Sequence, residues 1–260
     1  MNHSSLIESY VSDTDRSVES WLYTHFPEAI SRSISKEALQ EHDLTGFFDA
    51  KDHYYAELLD LLLPHLTEDS LFLDMGCAVG RLALELGNHV KHAYGIDPSP
   101  ACIDAAKTIA KTGSFAIPLG EISVPEFASS HSEFIVGDDA SHPFAPETFD
   151  VVCCSSVIDR VPNAEVFLKR VYPLVRSGGF LVITDPFDWN PEYSKEEFWL
   201  GHGAFGTNKG KAEVALSELL MRNGFERVEE RNIPWRTYSH RRNHKVWMVY
   251  AAVYRKSSHS

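Results

Sequence analysis

Leu71-Phe72-Leu73-Asp74-Met75-Gly76-Cys77-Ala78-Val79-Gly80-Arg81 decides how the rest of the chain reads. Three apolar residues run into Asp74, two glycines bracket a tight turn, and Arg81-Leu82-Ala83-Leu84-Glu85-Leu86 opens a helix. A strand, a glycine turn and a helix start therefore share one short span. Glycine lets backbone approach a ligand closely, and the first N–H groups of the helix point at it. The next apolar run, Tyr94-Gly95-Ile96, ends in Asp97. That carboxylate falls about 20 residues beyond the turn, where nucleotide-binding α/β folds keep an acid for ribose hydroxyls.

Working outward, strands and helices alternate. Strand 71–74, helix 80–87, strand 93–97 and helix 99–111 follow one another, with Ser99-Pro100 as a helix-start signal. Residues 112–130 are rich in Gly, Pro and Ser and read as an insertion. Phe134-Ile135-Val136-Gly137-Asp138 is the third strand and Phe149-Asp150-Val151-Val152-Cys153-Cys154-Ser155 a fourth. A helix from about Asn163 to Val175 and the turn Ser177-Gly178-Gly179 lead into strand 180–184. This order implies a parallel sheet with helices on both faces. The end differs: helix 211–222 stops at Asn223-Gly224, and runs 225–232 and 245–253 follow with no helix between them. They predict a terminal hairpin with one antiparallel strand.

Ahead of the first strand, Val18, Leu22 and Phe26 have helical spacing, and Tyr54–Leu63 reads as a helix stopped by Pro64. The expected organisation is an N-terminal helical cover over residues 1–66 and an α/β core over 67–260, with a lid at about 185–208. The net charge of −13 argues against a nucleic-acid partner, which needs a basic face. No apolar run reaches the ~18 residues of a membrane span, and no secretory signal is visible. Cys77, Cys102, Cys153 and Cys154 lack zinc-type spacing. Cys153 and Cys154 are expected on opposite faces of a strand as small core residues. A cytoplasmic setting with reduced thiols, and no metal site, is the reading.

Ligands of an open α/β sheet sit beyond the C-terminal ends of its strands, so Asp74 to Gly80, Asp97, Asp138-Asp139, Ser155-Ser156 and 185–189 are the candidate site. The runs Asp74-Met75-Gly76-Cys77-Ala78-Val79-Gly80, Gly95-Ile96-Asp97, Gly137-Asp138-Asp139-Ala140 with Pro143-Phe144, Thr148-Phe149-Asp150-Val151-Val152 and Leu174-Val175-Arg176-Ser177-Gly178-Gly179 resemble the class I S-adenosylmethionine-dependent methyltransferases. The resemblance covers roughly residues 50–255 and departs from the common pattern at Ala78, where many members have a third glycine. It implies a Rossmann-like class I methyltransferase fold: a seven-stranded, mostly parallel sheet with an antiparallel terminal hairpin. It implies S-adenosyl-L-methionine as cofactor, held by Asp74, Gly76, Gly80, Arg81, Asp97, Asp138, Asp139 and Ser155. A dinucleotide is the competing ligand, but the turn lacks G-x-G-x-x-G spacing.

A narrower resemblance lies outside the common core. The Cys77-Ala78-Val79 filling, Phe187-Asp188-Trp189-Asn190-Pro191-Glu192-Tyr193, Trp199-Leu200-Gly201, Ile233-Pro234-Trp235 and His240-Arg241-Arg242-Asn243-His244-Lys245-Val246-Trp247 are similar to the C-terminal methyltransferase domain of ovothiol-synthesising enzymes. Ser12-Asp13, Tyr23 and His25 also fit. This resemblance implies methylation of an imidazole ring nitrogen of a thio- or seleno-histidine, of ovothiol or ovoselenol type, with an upstream synthase as the supplier. Asp185 and Tyr238 are the expected catalytic residues; Tyr23, His25, Phe187, Trp189, Trp199, Arg236 and Arg241 are the expected acceptor-binding residues. A neutral imidazole already carries a lone pair, so alignment and dryness matter more than a strong base. The alternatives are another small-molecule acceptor on the same fold, or a non-catalytic homologue that only binds the cofactor.

Overall fold

The computed structural model describes residues 14–41, 54–202, 212–240 and 242–258. Its frame is a seven-stranded sheet of β1 (Leu71–Met75), β2 (His92–Asp97), β5 (Ser132–Val136), β6 (Phe149–Ser155), β7 (Val175–Asp185), β8 (Phe225–His240) and β9 (Asn243–Lys256). The spatial order is β5-β2-β1-β6-β7-β9-β8. The first five strands are mutually parallel, and β9 runs antiparallel to both β7 and β8. The order in which successive strands are added reverses between β1 and β6, and there an open α/β sheet leaves a crevice. The expected insertion holds a small separate hairpin, β3 (Ser114–Ile117) with β4 (Gly120–Ser123).

The helices are α1 (Thr14–His25), α2 (Pro27–Ser33), α3 (Lys36–Glu41), α4 (Tyr54–Leu62), α5 (Arg81–Leu86), α6 (Pro100–Thr112), α7 (Ala164–Val171) and α8 (Ala212–Arg222). Local chemistry starts and stops them. Ser99 Oγ accepts the Cys102 N–H, Pro100 occupies the first turn, and Gly113 closes α6 in the left-handed conformation. Asn163 caps α7 in the same way through the Val166 N–H. Residues 172–174, expected as α-helix, tighten to a 3₁₀ turn around Pro173.

Two apolar layers cover the sheet. One gathers Phe72, Cys153 and Val182 with α1, α2, α4, α5 and α6; the other gathers Leu73, Cys154 and Ile183 with α7 and α8. Cys153 and Cys154 thus fall on opposite faces, and all four cysteines are buried free thiols. Among the described residues no helix is long and apolar enough to cross a membrane.

The terminal hairpin is longer than the sequence suggests. The β7–β9 pairing ends at Asp185 opposite Tyr250, yet β9 continues back to Asn243 and β8 on to His240. Pro234, read as part of a link, sits inside β8. It is tolerated because β8 is an edge strand, where a missing N–H costs no ladder bond. The distal hairpin therefore overhangs the C-terminal ends of the parallel strands. There α1 meets it: the Tyr238 N–H donates to Thr24 Oγ1 at 3.0 Å, and the Ser20 hydroxyl donates to the Tyr238 carbonyl. Helix side chains thereby satisfy backbone groups of the outer edge strand.

Candidate active site

A cavity of about 460 Å³ opens beneath this overhang, with the ends of β1, β2 and β6 as its floor and α1 and the distal hairpin as its roof. The floor begins at the glycine turn. Gly76 has φ 84° and a Cβ there would lie 2.4 Å from Val157 Cγ2, so only glycine fits. Ala78 also has positive φ, 46°, and its N–H donates to Asp97 Oδ2 at 2.9 Å. Asp97 Oδ1 accepts the Ser99 N–H, so the carboxylate ties the turn of β1 to the start of α6.

Asp74 and Asp97 are both 3% exposed and both line the cavity. Burial, and then the neighbouring Asp97, push the Asp74 carboxyl up to about 8. Burial raises Asp97 to about 6 against the pull of its two backbone N–H donors. Among the described residues the Asp74 carboxyl accepts no hydrogen bond, although its backbone is part of the sheet. The Ser156 hydroxyl, also on the cavity wall, is buried without a partner, and Ser156 is held at φ 55°. The floor thus offers unmet polar groups of predominantly acceptor character, suited to a cationic ligand with hydroxyls.

Asp138, Asp139 and Ser155 line the same floor. Asp138 Oδ1 accepts the Ala140 N–H and the Ser141 hydroxyl, which shapes the turn after β5. Asp139 pairs with Arg170 at 3.0 Å. Ser155 Oγ is 2.8 Å from Tyr54 Oη, which also bonds Thr184 Oγ1 at 2.7 Å. Gly80 and Arg81 lie elsewhere. Gly80 packs its bare Cα against Phe134 and Ala106. Arg81 is buried away from the cavity, donating to the His25 carbonyl at 2.7 Å and to Glu85 at 3.0 Å, with its guanidinium over Phe127 and Tyr55. Its place differs from the cofactor contact expected: it fastens α1 to α5.

The roof is aromatic. Trp235 and Trp247 face each other in the hairpin register and both line the cavity with Tyr238. Trp235 stacks on Tyr54 at 4.6 Å, and the Trp247 indole N–H donates to Thr237 Oγ1 at 2.8 Å. Lys245 Nζ lies 5.1 Å from the Trp247 ring centroid. His25 comes in from the end of α1, its Nδ1 2.9 Å from Tyr55 Oη. Burial, with Arg81 adding to it, holds the His25 imidazolium far below the usual range, at about 3, so the ring is neutral. The remaining wall is charged. Arg160 reaches Asp159 Oδ1 at 3.4 Å and Asp188 Oδ2 at 3.5 Å, and its guanidinium lies over Tyr193.

Several expected residues are placed elsewhere. Asp185 is wholly buried and not on the cavity; its carboxylate accepts the N–H groups of Ile158, Asp159 and Phe187, bracing the turns after β6 and β7. Phe187, Trp189 and Trp199 stack on one another outside the cavity, because each finds a flat apolar neighbour before it finds a ligand. Of the expected lid, Pro186, Asp188, Asn190 and Tyr193 reach the cavity instead. Tyr23 is buried against Tyr238 at 4.7 Å and does not line the cavity. Arg236 lies on β8, not on a turn, and bonds His244 at 3.2 Å. Arg241 and the pair Ser12-Asp13 lie outside the described residues. Sequence reasoning missed Ser20, Trp21 and Thr24, although their helical spacing with His25 marks one face of α1. It also left Tyr55, Asp159 and Arg160 unassigned.

Comparison with known proteins bears on this arrangement. A family profile described as a methyltransferase domain matches residues 48–241. The ubiquinone biosynthesis O-methyltransferase of Bradyrhizobium diazoefficiens is 26% identical over 176 residues, covering 64% of this chain and 62% of that protein. The sterol 24-C-methyltransferase of Kluyveromyces lactis is 27% identical over 184 residues, covering 65% of this chain and 46% of that protein. The chain thus spans about half to three-fifths of these curated relatives. In fold, it is similar to a solved S-adenosylmethionine-dependent methyltransferase from Methanosarcina mazei, with a TM-score of 0.53 and 20% identity, covering 76% of this chain and 98% of that one.

Proposed function

This chain belongs to the methyltransferase domain family, and we propose from that premise that it transfers a methyl group from S-adenosylmethionine to a small planar acceptor. The observation that carries the reading is a single cavity with two unlike halves: a buried Asp74–Asp97 floor at the glycine turn, and a roof of Trp235, Tyr238 and Trp247. The floor fits the cofactor. The Asp74 carboxyl has no hydrogen-bond donor among the described residues, the Ser156 hydroxyl is orphaned, and Gly76 leaves no Cβ at the turn. Asp97 would hold the ribose hydroxyls, Asp138 the adenine amino group, and Asp74 the cationic end.

When bound, the cofactor supplies a methyl group on a positively charged sulfur, open to in-line displacement. The chain's own residues orient and dehydrate. Trp235, held by its stack on Tyr54, fixes one plane of the acceptor space, and aromatic faces favour positive charge nearby. The α1–β8 bonds through Thr24 and Ser20 hold the roof over the acceptor space. On the acceptor side His25 is neutral and hard to protonate, and Asp74, the cavity carboxyl raised to about 8, lies on the cofactor side. The arrangement therefore suits an acceptor whose nucleophilic atom needs no proton removed before attack.

The curated relatives act, by their names, on other small molecules, a ubiquinone precursor and a sterol, and so favour an acceptor of that broader class. A narrower reading rests on the resemblance in segments 187–201 and 233–247, with Arg160, Asp188 and Lys245 on the cavity wall as partners for a charged acceptor: an imidazole ring nitrogen of a thio- or seleno-histidine, supplied by an upstream synthase. Titration calorimetry with S-adenosylmethionine tests the first reading, and absence of binding sinks it. Mass spectrometry of reactions with histidine, thiohistidine, selenohistidine and a catechol tests the second. Methylation of the catechol alone, with cofactor binding intact, rejects the histidine-type acceptor and keeps the broader class.

A further inference from the structure

The end of α1 places His25 on the acceptor side of the cavity, and its hydrogen bonds specify what that ring presents. His25 Nδ1 lies 2.9 Å from Tyr55 Oη. Among the described residues, Tyr55 Oη has no other partner, and Tyr55 is buried. If Nδ1 carried the proton, the phenol would accept it and its own O–H would be left buried and unmet, at a cost of about 1–3 kcal/mol. With Nδ1 as the acceptor, the phenol O–H is satisfied and the proton must sit on Nε2. His25 Nε2 has no protein partner among the described residues, and with Nδ1 turned to Tyr55 the ring lines the cavity through its other edge.

The surroundings hold the ring in this form. Trp21 meets it edge-on at 5.5 Å, Tyr55 at 5.4 Å and Trp235 at 6.5 Å between centroids. The Arg81 guanidinium donates to the His25 carbonyl, which places a fixed positive charge beside the ring and opposes a second ring proton.

We propose that His25 is a specificity-determining residue: its Nε2–H, set by Tyr55, donates to a lone pair on the acceptor, so that acceptors presenting oxygen, sulfur or an unprotonated nitrogen there are selected over those presenting a donor. The proposal rests on the methyltransferase reading for the identity of the cavity's ligand, but not for the tautomer. Such a donor orients the acceptor without removing a proton from it. A missing lone pair leaves the buried N–H unpaired, which is how polar sites discriminate by large factors.

The test is long-range ¹H–¹⁵N correlation on the full chain with ¹⁵N-labelled histidine and bound S-adenosylhomocysteine. The His25 ring is expected to carry its single proton on Nε2, and Tyr55→Phe to give a mixture of tautomers. Imidazole, titrated at about pH 8 where most of it is neutral, is expected to move the Nε2–H signal downfield. A wild-type ring protonated on Nδ1, or an Nε2–H signal that stays fixed through the titration, overturns the proposal. Calorimetry of S-adenosylhomocysteine binding is run on the same samples. Loss of that binding strikes the methyltransferase reading, whereas normal binding with the wrong tautomer strikes this inference alone. Should Tyr55→Phe fail to fold, His25→Leu, which has no side-chain N–H, is expected to weaken imidazole binding about tenfold while leaving S-adenosylhomocysteine affinity within about twofold, and His25→Gln, which keeps an N–H, to retain most of the imidazole binding; undiminished imidazole binding by His25→Leu overturns the proposal.

Discussion

At the scale of single residues, the floor of the cavity depends on a few atoms. Asp97 holds the glycine turn through the Ala78 N–H and the helix start through the Ser99 N–H. Replacing it with alanine is expected to weaken S-adenosylmethionine binding by ~1–3 kcal/mol, the loss of charge-assisted hydrogen bonds, as read by calorimetry; unchanged affinity removes Asp97 from the site. Gly76→Ala is expected to destabilise the fold by ~1–3 kcal/mol, because a side chain is forced into a left-handed backbone. It would also meet Val157, so adding Val157→Ala in a denaturant titration should restore the steric part and leave the backbone part. The grouping of these residues was legible because glycines and carboxylates recur together at successive strand ends. Asp185 misled because an acid at a strand end also serves as a receiver of backbone N–H groups, and sequence does not distinguish the two uses. The aromatics of 187–199 were legible as aromatics but not by direction. Whether a tryptophan faces a ligand or another ring is set by tertiary packing.

At the scale of elements, the alternation of strands and helices made the sheet readable, and the missing crossover after β8 made the terminal hairpin readable. Its length was not, because Pro234 and the charged run 240–245 look like a link when edge position is unknown. The join between α1 and α5 was equally hidden, since Arg81 lies 56 positions from His25 and its partners are set only by the fold. That join yields a prediction. Arg81 is a buried cation satisfied by the His25 carbonyl, Glu85 and the half-exposed Glu28. Arg81→Leu should cost ~1–3 kcal/mol, below the figure for a fully buried pair because Glu28 is screened by solvent. The loss should appear as faster amide exchange in α1 than in β1 or β6. Equal exchange in all three would show that Arg81 supports the core as a whole and does not fasten the cover.

At the scale of the whole molecule, the buried ionisable groups pull its stability in opposite directions with pH. Asp74 is pushed to about 8 and Asp97 to about 6 by burial. For each, the folded form keeps its proton where the unfolded chain, titrating near ~3.9, has lost it. Their contribution is therefore full in acid and is lost as pH rises through the folded values. His25 is the reverse: lowered to about 3 by burial and by Arg81, it contributes fully above the unfolded value of ~6.5 and loses that as pH falls through about 3. In acid the two kinds of group offset each other. Between about pH 6.5 and about pH 8, the unfolded chain loses the last of its His25 proton and Asp97 is largely ionised, so the slope is set by Asp74 together with the buried Asp159–Asp185 pair, which burial also raises. The ligand-free protein should accordingly melt at lower temperature at the upper end of that window than at the lower end. A sulfonium bound beside Asp74 would favour the ionised carboxylate and offset the loss, so the rise in melting temperature given by S-adenosylmethionine should be larger at about pH 8 than at about pH 6.5. Asp74→Asn should lessen the slope of the ligand-free profile, leaving the part due to Asp159 and Asp185, and remove the pH dependence of the cofactor's effect. Differential scanning fluorimetry across that window decides the matter. A wild-type profile that rises between the two pH values would mean that Asp74 is ionised in the fold and that its charge is met by a cation of the chain itself, in which case the floor of the cavity is not waiting for one from a ligand.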